Sequence, residues 1–238
     1  MAVFTEESVR ANLRVREGKR VFYLDERDHL TPAARHWLQR ERIEVLPASM
    51  AKPDGFVGLS GGSWSEKPEH MTHLRGNILV RKDHPRIRFR GMLDALEAEL
   101  LICGKTAARE KHIRLAVELE EMLSFARHLM RCDVLEETLG TFSLCGLTQA
   151  QLREQSHYPQ KYFDTPHFMP TPSDSDTMLQ LNRLRTLVRQ TELAAYEAFH
   201  DREGLVTRPD LLQALNRLSS LVWIQMIRLK KEEAAHEP

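Results

Sequence analysis

The sequence predicts a mainly α fold, a helical bundle preceded by a small α/β module, on three observations. From Pro85 onward, apolar residues recur at helical spacing almost throughout. Residues 1–48 instead mix short strand patterns with one well-signalled helix. Between them, Pro47 to Pro68 is rich in Gly, Ser and Pro and breaks the periodicity. The expected organisation is an N-terminal module over 1–48, a linker or mobile loop over 49–68, and a helical-bundle domain over 69–238.

In the module, a helical start is expected around Glu6 to Val15 and a strand at Val21 to Leu24. Thr31 is placed to cap the next helix, Pro32 suits its first turn, and Ala33, Ala34, Trp37 and Leu38 follow. Ile43 to Leu46 reads as a second strand. In the bundle, Ile87, Met92, Leu93, Leu96, Leu100 and Leu101 carry one helix, and Ile113 to Met130 the next. Gly104-Lys105-Thr106 is the expected turn between them. Thr148 and Gln151 have capping-box spacing, which opens a short helix. From His157 to Ser175, Pro159, Pro166, Pro170 and Pro172 forbid a continuous helix, so a long aromatic-rich loop is expected. Helices resume over Asp176 to His200 and Pro209 to Lys231, with Thr207 as the expected cap of the last.

Composition narrows the function classes. The 34 basic and 34 acidic residues cancel, which leaves no electrostatic footprint for nucleic acid or an anionic membrane. No apolar run approaches the ~20 residues that cross a bilayer. The acidic start, Met1 to Glu7, lacks a signal-peptide core, so a cytoplasmic protein is expected. Cys103, Cys132 and Cys145 match neither a disulfide framework nor a zinc pattern and read as idle thiols.

Chemistry is sought in local clusters. Arg185, Arg189 and Glu192 share one stripe of a helix, which can hold an anion or simply face solvent. Asn216, Ser219, Ser220 and Trp223 form a polar row on the next helix, opposite Leu211, Leu215, Leu218 and Val222. Asp94 is a candidate partner for Arg185. Lys82, in Arg81-Lys82-Asp83-His84-Pro85-Arg86, precedes a helix start and can meet phosphate oxygens or be plain surface. Glu154-x-x-His157 and Glu197-x-x-His200, with Glu97, Glu118 and Glu121, allow a ferritin-like di-iron bundle as an alternative. Phe142, Tyr158, Tyr162, Phe163 and Phe168 either anchor the proline-rich loop or form an apolar wall for a large planar ligand.

Several of these segments, in order, resemble the ATP:cob(I)alamin adenosyltransferases, most closely the ethanolamine-utilisation type. Lys67-Pro68-Glu69-His70-Met71-Thr72-His73-Leu74 is similar to that type's Lys-Pro-x-x-x-Thr-His-Leu, and Leu211 to Ser220 to its C-terminal signature. The propanediol-utilisation type is echoed in Lys82 to Arg86, in Gly91 to Leu96, and in Arg185 to Glu192. Departures from that type are Gln190 in place of a second Arg, Ser220 in place of Asp, and no recognisable glycine-rich ATP loop near the N-terminus.

The resemblance implies a helical bundle that moves the 5′-deoxyadenosyl group of ATP onto cob(I)alamin. It implies that Lys67, Thr72, His73, Lys82, Arg189, Glu192 and Asn216 bind MgATP and that Asp94 pairs with Arg185. Phe168 would fill the lower face of the corrin and displace its lower ligand. A homo-oligomer is implied, a trimer ahead of a dimer, with the site commonly at a subunit interface. A flavoprotein reductase, ethanolamine ammonia-lyase and a bacterial microcompartment are the implied associates. Some ethanolamine-type relatives carry a metal-binding cysteine cluster before the Lys-Pro segment. This chain has Gly58 to Glu66 there, so no protein-held metal is expected. A non-catalytic cobalamin carrier is the remaining alternative.

Overall fold

The computed structural model describes residues 1–51 and 55–236, so residues 52–54 of the expected linker lie outside the described residues. The fold is mainly α, with small sheets in the N-terminal region, as the sequence predicts. Two compact units are formed, Met1–Ile87 with Arg131–Glu137, and Arg88–Met130 with Thr138–Pro238.

The first unit begins with β1 (Val3–Phe4), α1 (Glu6–Ala11), β2 (Arg14–Arg16), β3 (Lys19–Leu24), β4 (His29–Leu30), α2 (Pro32–Arg40) and β5 (Glu44–Pro47). α1 stops short of the expected Val15 because Asn12 caps it, its Nδ2 donating to the Ser8 carbonyl at 2.8 Å. Glu17 and Gly18, both at positive φ, then turn the chain so that β2 and β3 pair antiparallel. α2 is as expected: Thr31 Oγ1 accepts from the Ala34 amide and Pro32 occupies the first turn. It links the parallel strands β3 and β5, and Val9, Phe22, Ala34, Trp37, Leu38 and Ile43 form the core beneath.

A second sheet follows, built from β6 (Phe56–Gly58), β7 (Ser63–Trp64), β8 (Met71–Arg75) and β9 (Ile78–Arg81) in the order β7-β6-β9-β8. β6 and β7 fall inside the stretch read from sequence as a linker. Its glycines serve packing: a Cβ on Gly58 would lie 2.3 Å from the Gly61 carbonyl oxygen and 3.0 Å from the Trp64 ring. Asn77 joins β2 to this sheet, its Oδ1 accepting from Val15 N at 2.7 Å and its Nδ2 donating to the Val15 and Gly55 carbonyls. Arg86 closes the unit by pairing with the fully buried Asp133 at 2.9 Å and with Glu136 at 3.1 Å.

The second unit contains most of α3 (Pro85–Arg109) and of α4 (Ile113–Val134), then the hairpin β10 (Ser143–Leu144) and β11 (Leu147–Thr148). Next come α5 (Gln149–His157), α6 (Pro159–Phe163), α7 (Asp176–Phe199) and α8 (Pro209–His236). The expected turn at Gly104 is instead helix. A Cβ there would meet only Leu119 Cβ, at an ordinary contact distance of 3.9 Å, so nothing at Gly104 interrupts the helix, and the break comes at Lys111 with φ +67°. The Thr148–Gln151 capping box is present on α5. Thr207 is not the cap of α8: its hydroxyl donates to the Phe199 carbonyl at 2.8 Å and fixes the α7–α8 connection.

α7 and α8 pack along each other and carry the core of this unit. Leu181, Leu184, Val188, Thr191 and Ala195 of α7 and Leu211, Leu215, Leu218 and Val222 of α8 are buried. Each series follows the three-and-four spacing of a helical face, and truncating one such leucine to alanine costs about 2–5 kcal/mol.

Candidate active site

The residues that follow Leu181, Leu184 and Val188 on α7, and Leu215, Leu218 and Val222 on α8, face an open cleft. On α7 these are Asn182, Arg185 and Arg189, and on α8 Asn216, Ser219 and Trp223, with Ser220 beside them. With Ser156 and His157 at the end of α5 and His167 to Pro170 of the loop, they line about 570 Å³.

The loop is held on both flanks. Tyr162 Oη donates to Glu154, and Lys161 pairs with the same carboxylate at 3.1 Å. Lys231 Nζ donates to the Phe163 carbonyl at 2.9 Å, while the Arg228 guanidinium lies over the Phe163 ring. Beyond the cleft, Lys230 pairs with the nearly buried Asp174 at 2.7 Å, and Asp174 also accepts from Thr171 N. Tyr162 and Phe163 are thus loop anchors, and Phe142 packs on Phe125 with centroids 4.8 Å apart. Among the loop aromatics Phe168 lines the cleft.

Trp223 organises the cleft's apolar end. His167 stacks on it at 5.7 Å with planes 8° apart, Phe168 at 5.2 Å, and the Arg185 guanidinium lies 5.2 Å from the ring centroid. The other end is cationic. Burial, and then the neighbouring Arg189 guanidinium, hold Arg185 below the ordinary arginine value. Asn216 Nδ2 donates to Glu192 Oε1 at 3.1 Å, and its Oδ1 accepts from Arg217 Nη1 at 2.7 Å. An anion is the chemical complement of this end, and a flat, partly apolar body that of the other.

Arg185, Arg189, Glu192, Asn216 and Phe168 are therefore brought together as the sequence suggests. Asp94 is not: it is exposed on α3 and forms no ion pair with Arg185 within the chain. Lys67, Thr72, His73 and Lys82 belong to the first unit. There Lys67 Nζ donates to the Met71 carbonyl, Lys82 pairs with Glu69 at 3.0 Å, and exposed His73 meets the Phe56 ring edge-on. Sequence reasoning missed His157, His167 and Asn182 as lining residues. Asn182 was legible, three residues before Arg185 on one stripe, whereas nothing local marks His167.

The di-iron arrangement is not formed. Glu154 is tied to Lys161 and Tyr162, Glu197 to Arg88, Glu97 to Arg127, Glu118 to Arg114, and Glu121 to the Cys145 amide. Among the described residues no group of three or more His, Cys, Asp or Glu side chains could hold a metal ion. Burial pushes the Cys103 and Cys145 thiols up to about 12, so neither is a ready thiolate.

The family profile described as "Cobalamin adenosyltransferase" matches residues 64–229, a span that includes the whole cleft. The chain belongs to the cobalamin adenosyltransferase family. It is 34% identical over 250 residues to "Corrinoid adenosyltransferase EutT" of Escherichia coli (strain K12). It is 33% identical over 246 residues to the protein of the same name from Salmonella typhimurium (strain LT2). In both cases 94% of this chain and 90% of the relative are covered. As a family member the chain is a transferase that acts on a corrinoid.

Proposed function

We propose that the cleft of α5, α7 and α8 is where the 5′-deoxyadenosyl group of ATP passes to cob(I)alamin. The observation that carries this is the meeting of Arg185, Arg189 and Asn216 with Phe168 and Trp223 in one cleft of a corrinoid adenosyltransferase. Cobalt(I) supplies the electron pair, a Co–C5′ bond forms, the C5′–O bond breaks, and triphosphate departs with its bonding pair. The nucleophile belongs to the substrate, so the protein has to orient, neutralise charge and exclude water.

Arg189 takes the phosphate role and Asn216 with Glu192 the nucleotide's polar groups. Lys82, with Lys67, Thr72 and His73, is a proposed phosphate contact that would have to leave Glu69. Glu192 accepts one hydrogen bond from Asn216 and, among the described residues, forms no ion pair, so its carboxylate is available to Mg²⁺ brought in with ATP. One or two carboxylates plus phosphate oxygens suit that ion, which when bound offsets triphosphate charge. Phe168, on the Trp223 platform, is proposed to sit beneath the corrin and keep the lower ligand off cobalt.

A homo-oligomer is part of this reading, with Asp94 of one copy pairing with Arg185 of another. A trimer is favoured over a dimer. The catalytic domain is taken as 69–238, after an N-terminal module at 1–48. The names of the relatives support a role in ethanolamine use, supplying adenosylcobalamin to ethanolamine ammonia-lyase after a flavoprotein reductase, within the cytoplasm and next to a microcompartment.

The test is anaerobic incubation of the purified protein with cob(I)alamin and MgATP. Adenosylcobalamin and triphosphate should appear together. Corrinoid binding without ATP consumption would make the protein a carrier and overturn the reading.

A further inference from the structure

Arg10 over Trp37, Arg208 over Phe199 and Arg228 over Phe163 are each fixed by a carboxylate as well as by the ring, at 2.7, 2.8 and 3.5 Å. Arg185 is not. Half-buried on α7, it forms no ion pair and no hydrogen bond among the described residues, and what it meets is the indole of Trp223, 5.2 Å from the ring centroid. A cation held by a ring alone has no directional tie, so its hold depends on how well water is kept from that ring.

The same indole is the seat of the loop. His167 stacks on it with planes 8° apart and Phe168 with centroids 5.2 Å apart, and these are the described ring contacts of the two side chains. Val222 and Ile224, which flank Trp223 along α8, are fully buried, so the indole is mounted on a stretch of helix that the core fixes. Covering the ring with His167 and Phe168 displaces water from it and strengthens its attraction for the Arg185 guanidinium. By reciprocity, a guanidinium held on the ring favours the seated loop. Arg189, one turn further along α7, repels Arg185, and an anion bound there offsets that repulsion and lets Arg185 stay on the ring.

We infer that Trp223 is a positioning residue that couples the two ends of the cleft: its indole holds Arg185 and seats Phe168 together, so that nucleotide binding at the cationic end and seating of the loop at the apolar end favour each other. The inference rests on the nucleotide reading above and adds to it the residue that links the two ends. Neither Trp223 nor His167 has to touch a reacting atom for this.

The experiment is hydrogen–deuterium exchange of the full chain, read by mass spectrometry over the loop peptide 164–171, with and without MgATP. Without nucleotide, Arg185→Gln should speed exchange there about threefold, the loss of one cation–π contact, and Trp223→Leu about tenfold, with the stacks lost as well. Added to Trp223→Leu, Arg185→Gln should have no further effect. Trp223→Phe restores a ring and should recover most of the protection, which a merely space-filling role would not require. MgATP should slow exchange in the parent chain and leave Trp223→Leu unchanged. Additive effects of Arg185→Gln and Trp223→Leu, equal losses in Trp223→Phe and Trp223→Leu, or the same MgATP protection in Trp223→Leu would overturn the inference and leave the nucleotide reading standing. Should Trp223→Leu not fold, Arg185→Gln combined with Phe168→Ala carries the same decision, since coupling through the ring makes their effects on exchange non-additive and strict additivity overturns it. If MgATP neither binds the parent chain in calorimetry nor alters its exchange, the nucleotide lies elsewhere and both fall.

Discussion

Replacing Phe168 by alanine separates a corrin-facing plug from a loop anchor. The side chain is half-buried, and its described ring contact is the stack on Trp223 at 5.2 Å. Losing one such contact costs about 0.5–1.5 kcal/mol, a two- to tenfold change in how often the loop is seated. The loop keeps its other ties, through Tyr162, Phe163 and Asp174, so folding should survive. If Phe168 also keeps a ligand off cobalt(II), its removal stabilises cobalt(II) selectively. For a one-electron couple, about 3 kcal/mol of such stabilisation lowers the potential by about 130 mV. Reduction of cob(II)alamin with MgATP bound should then slow by about a hundredfold. Adenosylation of cob(I)alamin prepared beforehand should slow by about tenfold at most, the seating term alone. Both rates and the cobalt(II) EPR spectrum decide the matter. Equal losses in the two steps, or a four-coordinate cobalt(II) signal unchanged in Phe168→Ala, would refute the assignment.

Arg189→Ala should weaken MgATP binding by tenfold or more in calorimetry, against no change for Arg127→Ala, whose partner Glu97 lies outside the cleft. If Asp94 meets Arg185 across copies, mixing and reassembling inactive Asp94→Ala and Arg185→Ala chains should restore activity, because one class of mixed interface has both residues intact. Asp174 is held below the usual carboxylate value by the Lys230 hydrogen bond and then the Thr171 amide, so the stability it contributes is present above about pH 4 and lost as pH falls through its lowered value. Proteolysis of the loop should accelerate in that acid range in the native chain but show no such step in Asp174→Asn. Gly58→Ala should unfold the second sheet of the first unit, measured as a lowered Tm, since the added Cβ meets backbone at 2.3 Å rather than a flexible side chain.

The helices were legible where a local signal and a periodic face agreed. Thr31-Pro32 marked α2, the Thr148–Gln151 box marked α5, and the leucine spacing marked α7 and α8. Gly104 misled because a lone glycine costs a helix only about 1 kcal/mol, which the long α3 absorbs, and the chain breaks instead at Lys111. Strands β6 and β7 were hidden because their glycines make room for Trp64, a long-range steric need with no sequence period. The cleft shows the same divide. Arg185, Arg189 and Asn216 follow from stripes on single helices, whereas His167 beside Trp223 exists only once the proline-rich loop has folded back onto α8.

α8 is both a wall of the cleft and the mooring of that loop. Asn216, Ser219 and Trp223 lie on its first and middle turns, while Arg228, Lys230, Lys231 and Glu233, which grip Phe163, Asp174 and Ser175, lie nearer its carboxy-terminal end. A chain cut after Leu229 would retain Arg189, Asn216, Phe168 and Trp223 and still lose the loop's tethers at Asp174, Phe163 O and Ser175. Fraying of the carboxy-terminal turns, whether by a bulky fusion or by trimming, would reach the cleft through the loop that carries Phe168 without altering any residue that lines it.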